Sequence, residues 1–182
     1  MSKQGSTFNI IGQLAILRRY ARSLVRDAEE AEDLVHDALV KAYERQATFR
    51  TGGNLRAWLM SILHNTHIDR VRSKRSETRR MEAIADISDG SRPANQELSV
   101  RLAQVQSAFF DLPEDQRAAL HLVAIEELSY EEAAQALGIP VGTLMSRISR
   151  ARAKLRNFED DKPAERTTPR LRLIGGSDDE HA

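Results

Sequence analysis

The sequence predicts an all-α protein of two small helical domains joined by a flexible linker. Three observations carry this expectation. Apolar residues recur at steps of three and four along most of the chain. β-branched alternation is absent. The long lapses in periodicity fall over residues 76–96 and after residue 158. A length of 182 residues suits one large or two small domains.

A first helix is expected over residues 7–26, with Ile10, Leu14, Leu17, Ala21 and Leu24 on its buried face. Asp27 begins a turn. A second helix over 29–46 carries Ala31, Val35, Ala38 and Ala42 on one stripe, with Leu34 and Leu39 beside it. Thr51-Gly52-Gly53-Asn54 breaks the pattern. Asn54 suits the N-cap of a third helix to about residue 73, buried through Leu55, Trp58, Leu59, Ile62 and Leu63. These three helices make a domain over residues 7–75. Residues 76–96, with Asp86, Ser88, Asp89, Gly90, Ser91 and Pro93, read as the linker. A second domain over 97–158 holds helices at 97–110, 114–125, 129–137 and 140–157, with Pro113 in the first turn of the second of these. Residues 159–182 are polar and charged and read as a disordered tail, with a small apolar patch at Leu171, Leu173 and Ile174.

The most informative stretch is 129–156. Ser129 and Glu132 have the spacing of a capping box. Ala133, Ala134 and Leu137 give a small apolar face that lets a second helix cross closely. Gly138 stands where a left-handed residue ends a helix, and Pro140 fits the start of the next. Leu144, Ile148, Ala151 and Leu155 then mark one buried face. Ser146, Ser149, Arg150 and Ala153 lie opposite, flanked by Met145 and Arg152 on one side and Arg147 and Lys154 on the other. Residues 140–156 hold five basic residues and no acid. The pattern is that of a helix-turn-helix whose second helix enters the DNA major groove. Thr143, Met145, Ser146, Arg147, Ser149, Arg150 and Arg152 are its candidate DNA contacts. Arg150 suits a guanine edge, and the flanking cations suit phosphates.

Net charge is zero, but its distribution is uneven. Residues 27–37 carry six acids and no Lys or Arg, whereas residues 64–80 carry six bases against two acids. Such a chain can meet a basic protein surface and a polyanion at different places. The absence of cysteine excludes disulfides, thiolate metal sites and a cysteine nucleophile. No apolar run approaches transmembrane length, and MSKQGSTFN lacks a signal-peptide apolar segment. A cytoplasmic protein without membrane insertion is the expectation. His64 and His67 are three apart with Asp69 and Asp33 available, but no third ligand stands at a recognisable spacing, so no metal is expected. Both histidines are expected on a DNA-facing or solvent face. His36 and His121 are isolated in sequence. No phosphate loop or nucleophile motif occurs, so no catalytic residue and no cofactor are expected.

The segments DAEEAEDLVHDALVKAYERQATFR and NLRAWLMSILHNTHIDRVRSKR, followed by AFFDLPEDQRAALHLVAIEELSYEEAAQALGIPVGTLMSRISRARAKL, resemble regions 2 and 4 of a bacterial extracytoplasmic-function (group IV) sigma factor of the sigma-70 family. The resemblance spans about residues 10–156. It implies a protein that binds core RNA polymerase, at the β′ clamp helices and β flap, and directs it to promoter −10 and −35 elements. It implies polymerase contacts at Asp33, Leu34, Val35 and Asp37, as an acidic rim around an apolar patch. It implies −10 contacts at Trp58, Asn65, Ile68, Asp69, Arg70, Arg72, Lys74 and Arg75, where a flipped base is received. For Trp58, the helical pattern alone favours a place in the core. The resemblance places Ser146, Ser149 and Arg150 at −35 bases. Met145 and Ser149 depart from residues frequent in the family, which bears on the −35 sequence read. It also implies an anti-sigma partner. The other function that the residues allow is a stand-alone helix-turn-helix regulator.

Overall fold

The computed structural model describes residues 9–80 and 97–160, and the side chains of 9–76 and 102–156. A 3-10 turn at Ile11–Gln13 leads into helix α1, Leu14–Leu24. Helix α2, Ala28–Glu44, is followed by a second 3-10 turn at Gln46–Thr48 and by α3, Leu55–Arg80. The second half holds α4, Glu97–Phe110; α5, Glu114–Ala124; α6, Tyr130–Leu137; and α7, Val141–Asp160. Among the described residues there is no strand. The tail from 161, with its apolar patch at 171–174, and residues 81–96 of the expected linker lie outside the described residues.

Local chemistry explains the helix ends. The Asp27 carboxylate accepts hydrogen bonds from the Glu29 and Glu30 amides at 2.8 Å and caps α2. Asn54 Oδ1 accepts from Ala57 N at 3.2 Å and caps α3. Ser129 and Glu132 form the reciprocal capping box of α6. Gly138 closes α6 at φ 65°, a left-handed conformation that glycine adopts without a Cβ penalty. Pro113 and Pro140 sit one residue earlier than expected, as the cap residues preceding α5 and α7, and their carbonyls accept the first helical hydrogen bonds.

Two elements differ from expectation. The first helix begins as a 3-10 turn, where the Gly12 amide donates to Asn9 Oδ1 at 3.0 Å. Helix α3 runs to Arg80 rather than 73. Its last three turns are rich in Arg, Lys and Glu, which favour helix. Arg70 and Lys74 are further held by α2 acids: Arg70 by Asp37 at 2.5 Å, and Lys74 by Glu30.

Helices α1, α2 and α3 bury Leu17, Tyr20, Leu24, Leu34, Val35, Leu59, Met60 and Leu63, with Ala21, Ala31, Ala38 and Ala42 allowing close approach. In the second domain, α5, α6 and α7 bury Leu122, Leu128, Leu137, Leu144 and Ile148 beside Ala118, Ala119, Ala133, Ala134 and Ala151. These two cores are continuous, because α1 and α3 pack directly against α5 and α6.

Candidate nucleic-acid and polymerase interfaces

The helix-turn-helix presents the outer face of α7. Leu144, Ile148 and Ala151 are buried and fix its rotation about its axis. Thr143, Ser149, Arg150 and Arg152 are exposed, and Met145 is 55% exposed. Arg150 Nη2 donates to the Ser146 hydroxyl at 2.7 Å, so one turn of helix aims the guanidinium outward. Arg147 is bound to Asp115 of α5 at 3.2 Å and braces α7. Tyr130 at the start of α6 lines a shallow groove of about 220 Å³ with Met145, Ile148, Ser149, Arg152 and Arg156. Tyr130 escaped the sequence reading. As the first residue of α6 it carried no periodic signal.

On α3, Trp58, Asn65, Asp69 and Arg72 recur at steps of seven, four and three and share one stripe. Asn65, Asp69 and Arg72 are exposed, and Ile68 beside them is half-buried. Trp58 is half-buried against Phe49, with ring centroids 5.4 Å apart. Asp69 accepts from Lys41 Nζ at 3.4 Å. Arg70 and Lys74 do not join this stripe. Arg70 donates to Asp37 and, at 2.8 Å, to the Asp33 carbonyl, while Lys74 pairs with Glu30. Arg72 and Arg75 have no ion-pair partner among the described residues, which leaves them available to phosphates.

On α2, Asp33 and Asp37 are exposed, but Leu34 and Val35 are 0% and 3% exposed. Both serve the core of the first domain and offer no apolar patch to a partner. The apolar surface beside the acids is instead Val40, 47% exposed, and Tyr43, 69% exposed. With exposed His36 they occupy one face of α2, and Glu29, Glu32 and Asp33 extend that face toward its N-terminus. The signal was present in the helical spacing 36, 40, 43, since these positions lie outside the Ala31–Val35–Ala38–Ala42 stripe.

His64 and His67 are not on a DNA-facing or solvent face, as the sequence suggested. They are 8% and 5% exposed, between the domains. The Tyr20 hydroxyl is hydrogen-bonded to His64 Nδ1 at 3.1 Å, and His67 Nε2 donates to Glu114 of α5 at 2.8 Å. His121 is not isolated either: it packs on Tyr20, with centroids 5.2 Å apart, and its Nε2 donates to Glu126 at 3.1 Å. Burial, the largest cause, lowers His64 and His121 to about 4. Nearby His67 adds to the effect at His64, and at His121 burial outweighs the attraction of Glu126. Among the described residues no group of His, Asp or Glu is arranged to hold a metal ion, and no helix is long and apolar enough to cross a membrane.

Two family models match this chain in the same order as its domains: Sigma-70 region 2 over residues 13–77, and Sigma-70, region 4 over 102–155. The chain belongs to the sigma-70 family, among its extracytoplasmic-function sigma factors. It is 37% identical over 147 residues to the ECF RNA polymerase sigma factor EcfG of Rhodopseudomonas palustris, covering 81% of each protein. It is 31% identical over 144 residues to the ECF sigma factor SigW of Bacillus subtilis, covering 73% of this chain and 77% of that protein. Among solved structures, the fold is similar to the sigma factor RpoE in complex with the anti-sigma factor NepR from Bartonella quintana. That match has a TM-score of 0.73 and 36% identity, and covers 85% of this chain and 96% of RpoE. CnrH in complex with the cytosolic domain of CnrY gives a TM-score of 0.61 at 28% identity, covering 85% and 86% of the two chains. The region 2 match separates this sigma factor from a stand-alone helix-turn-helix regulator. Sigma factors as a family direct transcription initiation and are not enzymes.

Proposed function

We propose that this sigma factor joins core RNA polymerase to promoters through three surfaces. The α2 face of Val40 and Tyr43, rimmed by Asp33 and Asp37, docks on the polymerase clamp. The α3 stripe of Asn65, Ile68, Asp69 and Arg72 receives an unstacked −10 base: amide and carboxylate read its edge, and Arg72 and Arg75 hold the backbone. The outer face of α7 reads the −35 element in the major groove, with Arg150 on a base and Arg152 on phosphate. The polymerase supplies the chemistry, so no catalytic role is assigned to this chain, and its place of action is the cytoplasm. An anti-sigma factor is a further partner, as for RpoE.

The observation that carries this reading is the coexistence of two matched regions with separate outward-facing stripes. In-vitro transcription with core polymerase and a randomised promoter library tests it. Initiation confined to promoters sharing two elements is the expected result; failure to associate with core polymerase overturns it. Within that assay, Arg150→Ala is expected to cost about 1–3 kcal/mol at one −35 base and to relax selectivity there. Uniform weakening on all sequences would remove Arg150 from base reading. Tyr43→Ala is expected to weaken core-polymerase binding about tenfold with an unchanged melting temperature, because an exposed aromatic contributes at an interface and not to the fold. Unaltered polymerase affinity removes Tyr43 from the docking face.

A further inference from the structure

The two domains are fastened by polar groups that separated domains would return to water. Glu126, between α5 and α6, is 0% exposed. Arg19 of α1 donates to both its oxygens, at 2.7 and 2.9 Å, and Arg56 of α3 donates to its carbonyl at 3.0 Å. The only other contact to its carboxylate among the described residues is His121 Nε2, from its own domain. A fully buried carboxylate thus finds its countercharge across the domain boundary. Glu127 beside it has φ 55°, a left-handed backbone that a non-glycine residue enters at a cost. Further hydrogen bonds cross the boundary. Asn54 Nδ2 donates to Glu132 at 2.7 Å, His67 to Glu114, and Arg117 to the carbonyls of Ser23 and Leu24 at 2.5 and 3.2 Å.

This arrangement conflicts with two-point promoter binding. Elements named −10 and −35 lie about 25 base pairs apart, which is roughly 85 Å along B-DNA at about 3.4 Å per pair. Helices α3 and α7, at about 1.5 Å per residue, are roughly 39 and 30 Å long, and they belong to domains in direct contact. Neither reading stripe is hidden. Asn65 lies about 180° around α3 from Arg56, and Ser149, Arg150 and Arg152 face out. Closure therefore covers neither stripe but holds them too near to each other.

We propose that Glu126, with Arg19 and Arg56, is an intramolecular latch. It holds this sigma factor in a closed form that engages one promoter element at a time and must release before both are bound. An ion pair with one fully buried partner suits the task. Desolvation of Glu126 offsets much of the attraction, so the pair fixes geometry while remaining reversible when the carboxylate returns to water. The sixteen residues 81–96 span at most about 55 Å when extended, so the domains can part while joined. The conflict with DNA spacing rests on the two-element function proposed above; the latch itself does not.

The absence of cysteine permits a clean test. Gln46→Cys and Gln135→Cys, both at exposed positions in different domains, take a donor and an acceptor dye. Energy transfer is expected to be high in the otherwise wild-type chain. It is expected to fall in Arg19→Ala, whose open population rises at least tenfold, while circular dichroism and melting show both domains folded. The Arg19 side chain is 51% exposed, so its loss leaves the individual cores intact. Arg56→Ala is a second variant expected to act in the same direction. Affinity for a duplex carrying only the −35 element should be equal in all, whereas holoenzyme containing Arg19→Ala should form open complexes faster on a two-element promoter. Low transfer in the wild-type chain, or unchanged transfer in both arginine variants, overturns the latch. So do equal open-complex rates despite opening. If transfer falls but no variant, wild type included, supports initiation with core polymerase, the latch stands and the sigma-factor function fails.

Discussion

Leu144→Ala is expected to destabilise the second domain by about 3–5 kcal/mol, the upper range for a leucine truncated in a closed core. Leu144 is 0% exposed where α7 meets α5 and α6. The buried side chains of α6 include Ala133, Ala134 and Ala136, too short to move into the space left behind. Domains of this size have total stabilities of about 5–15 kcal/mol, so about a fifth or more would be lost. Urea unfolding measures the cost directly. Binding to a −35 duplex should fail near the melting point and recover on cooling, because no DNA contact has been removed. Leu155→Ala, at a half-buried position on the same face, should cost clearly less. A Leu144→Ala cost under about 1 kcal/mol would falsify the assignment of this residue to the pivot of the helix-turn-helix.

Acid is expected to unfold the protein through two histidines. His64 and His121 are held near 4 in the folded state, against about 6.5 in the unfolded chain. Above 6.5 both states are neutral there and the full stability is present. As pH falls through 6.5 the unfolded chain takes up protons first, and stability drains away until about 4, where the folded imidazoles charge as well. Each histidine accounts for a loss on the order of 3 kcal/mol across that window. The geometry at His121 gives the reason. With Nε2–H donated to Glu126, its Nδ1 is buried and has no hydrogen-bond partner, so a second proton would place a charged N–H where nothing accepts it. The urea midpoint should be flat from pH 8 to 7 and fall steeply below 6.5. His121→Gln, which keeps an N–H donor for Glu126, should flatten that fall. An unaltered slope in this variant assigns the acid sensitivity elsewhere.

The helix-turn-helix was legible because its signals are local. A capping box, a left-handed glycine and a three-four apolar spacing each act within a turn or two, and each was found in place at Ser129, Gly138 and Leu144. The α3 residues Asn65, Asp69 and Arg72 were located by resemblance rather than by such a local signal. The domain boundary surface was not legible. Tyr20, His64, His121 and Glu126 are polar side chains scattered through three helices and a loop, and each looks solvated on a helical wheel. Only their meeting across more than a hundred residues of chain, as for Arg19 and Glu126, makes them interior. Leu34 and Val35 show the converse limit. Motif position made them partner contacts, while the heptad-like packing of α2 against α1 and α3 required them inside. Resemblance pointed to α2, and the three-dimensional packing leaves Val40 and Tyr43, not Leu34 and Val35, open to a partner.

Arg117 gives the domain contact a second meaning. A helix ends with carbonyls that have no intrahelical partner and with a partial negative charge. At the end of α1 the Ser23 and Leu24 carbonyls are taken by a guanidinium from α5, more than ninety residues away in sequence. The second domain thus supplies the C-terminal cap, and the compensating charge, of a helix in the first. When the domains part, that terminus must find water instead. In the proposed latch, the last turn of α1 is therefore where opening would be registered, on a helix other than the two that carry the proposed DNA-reading stripes.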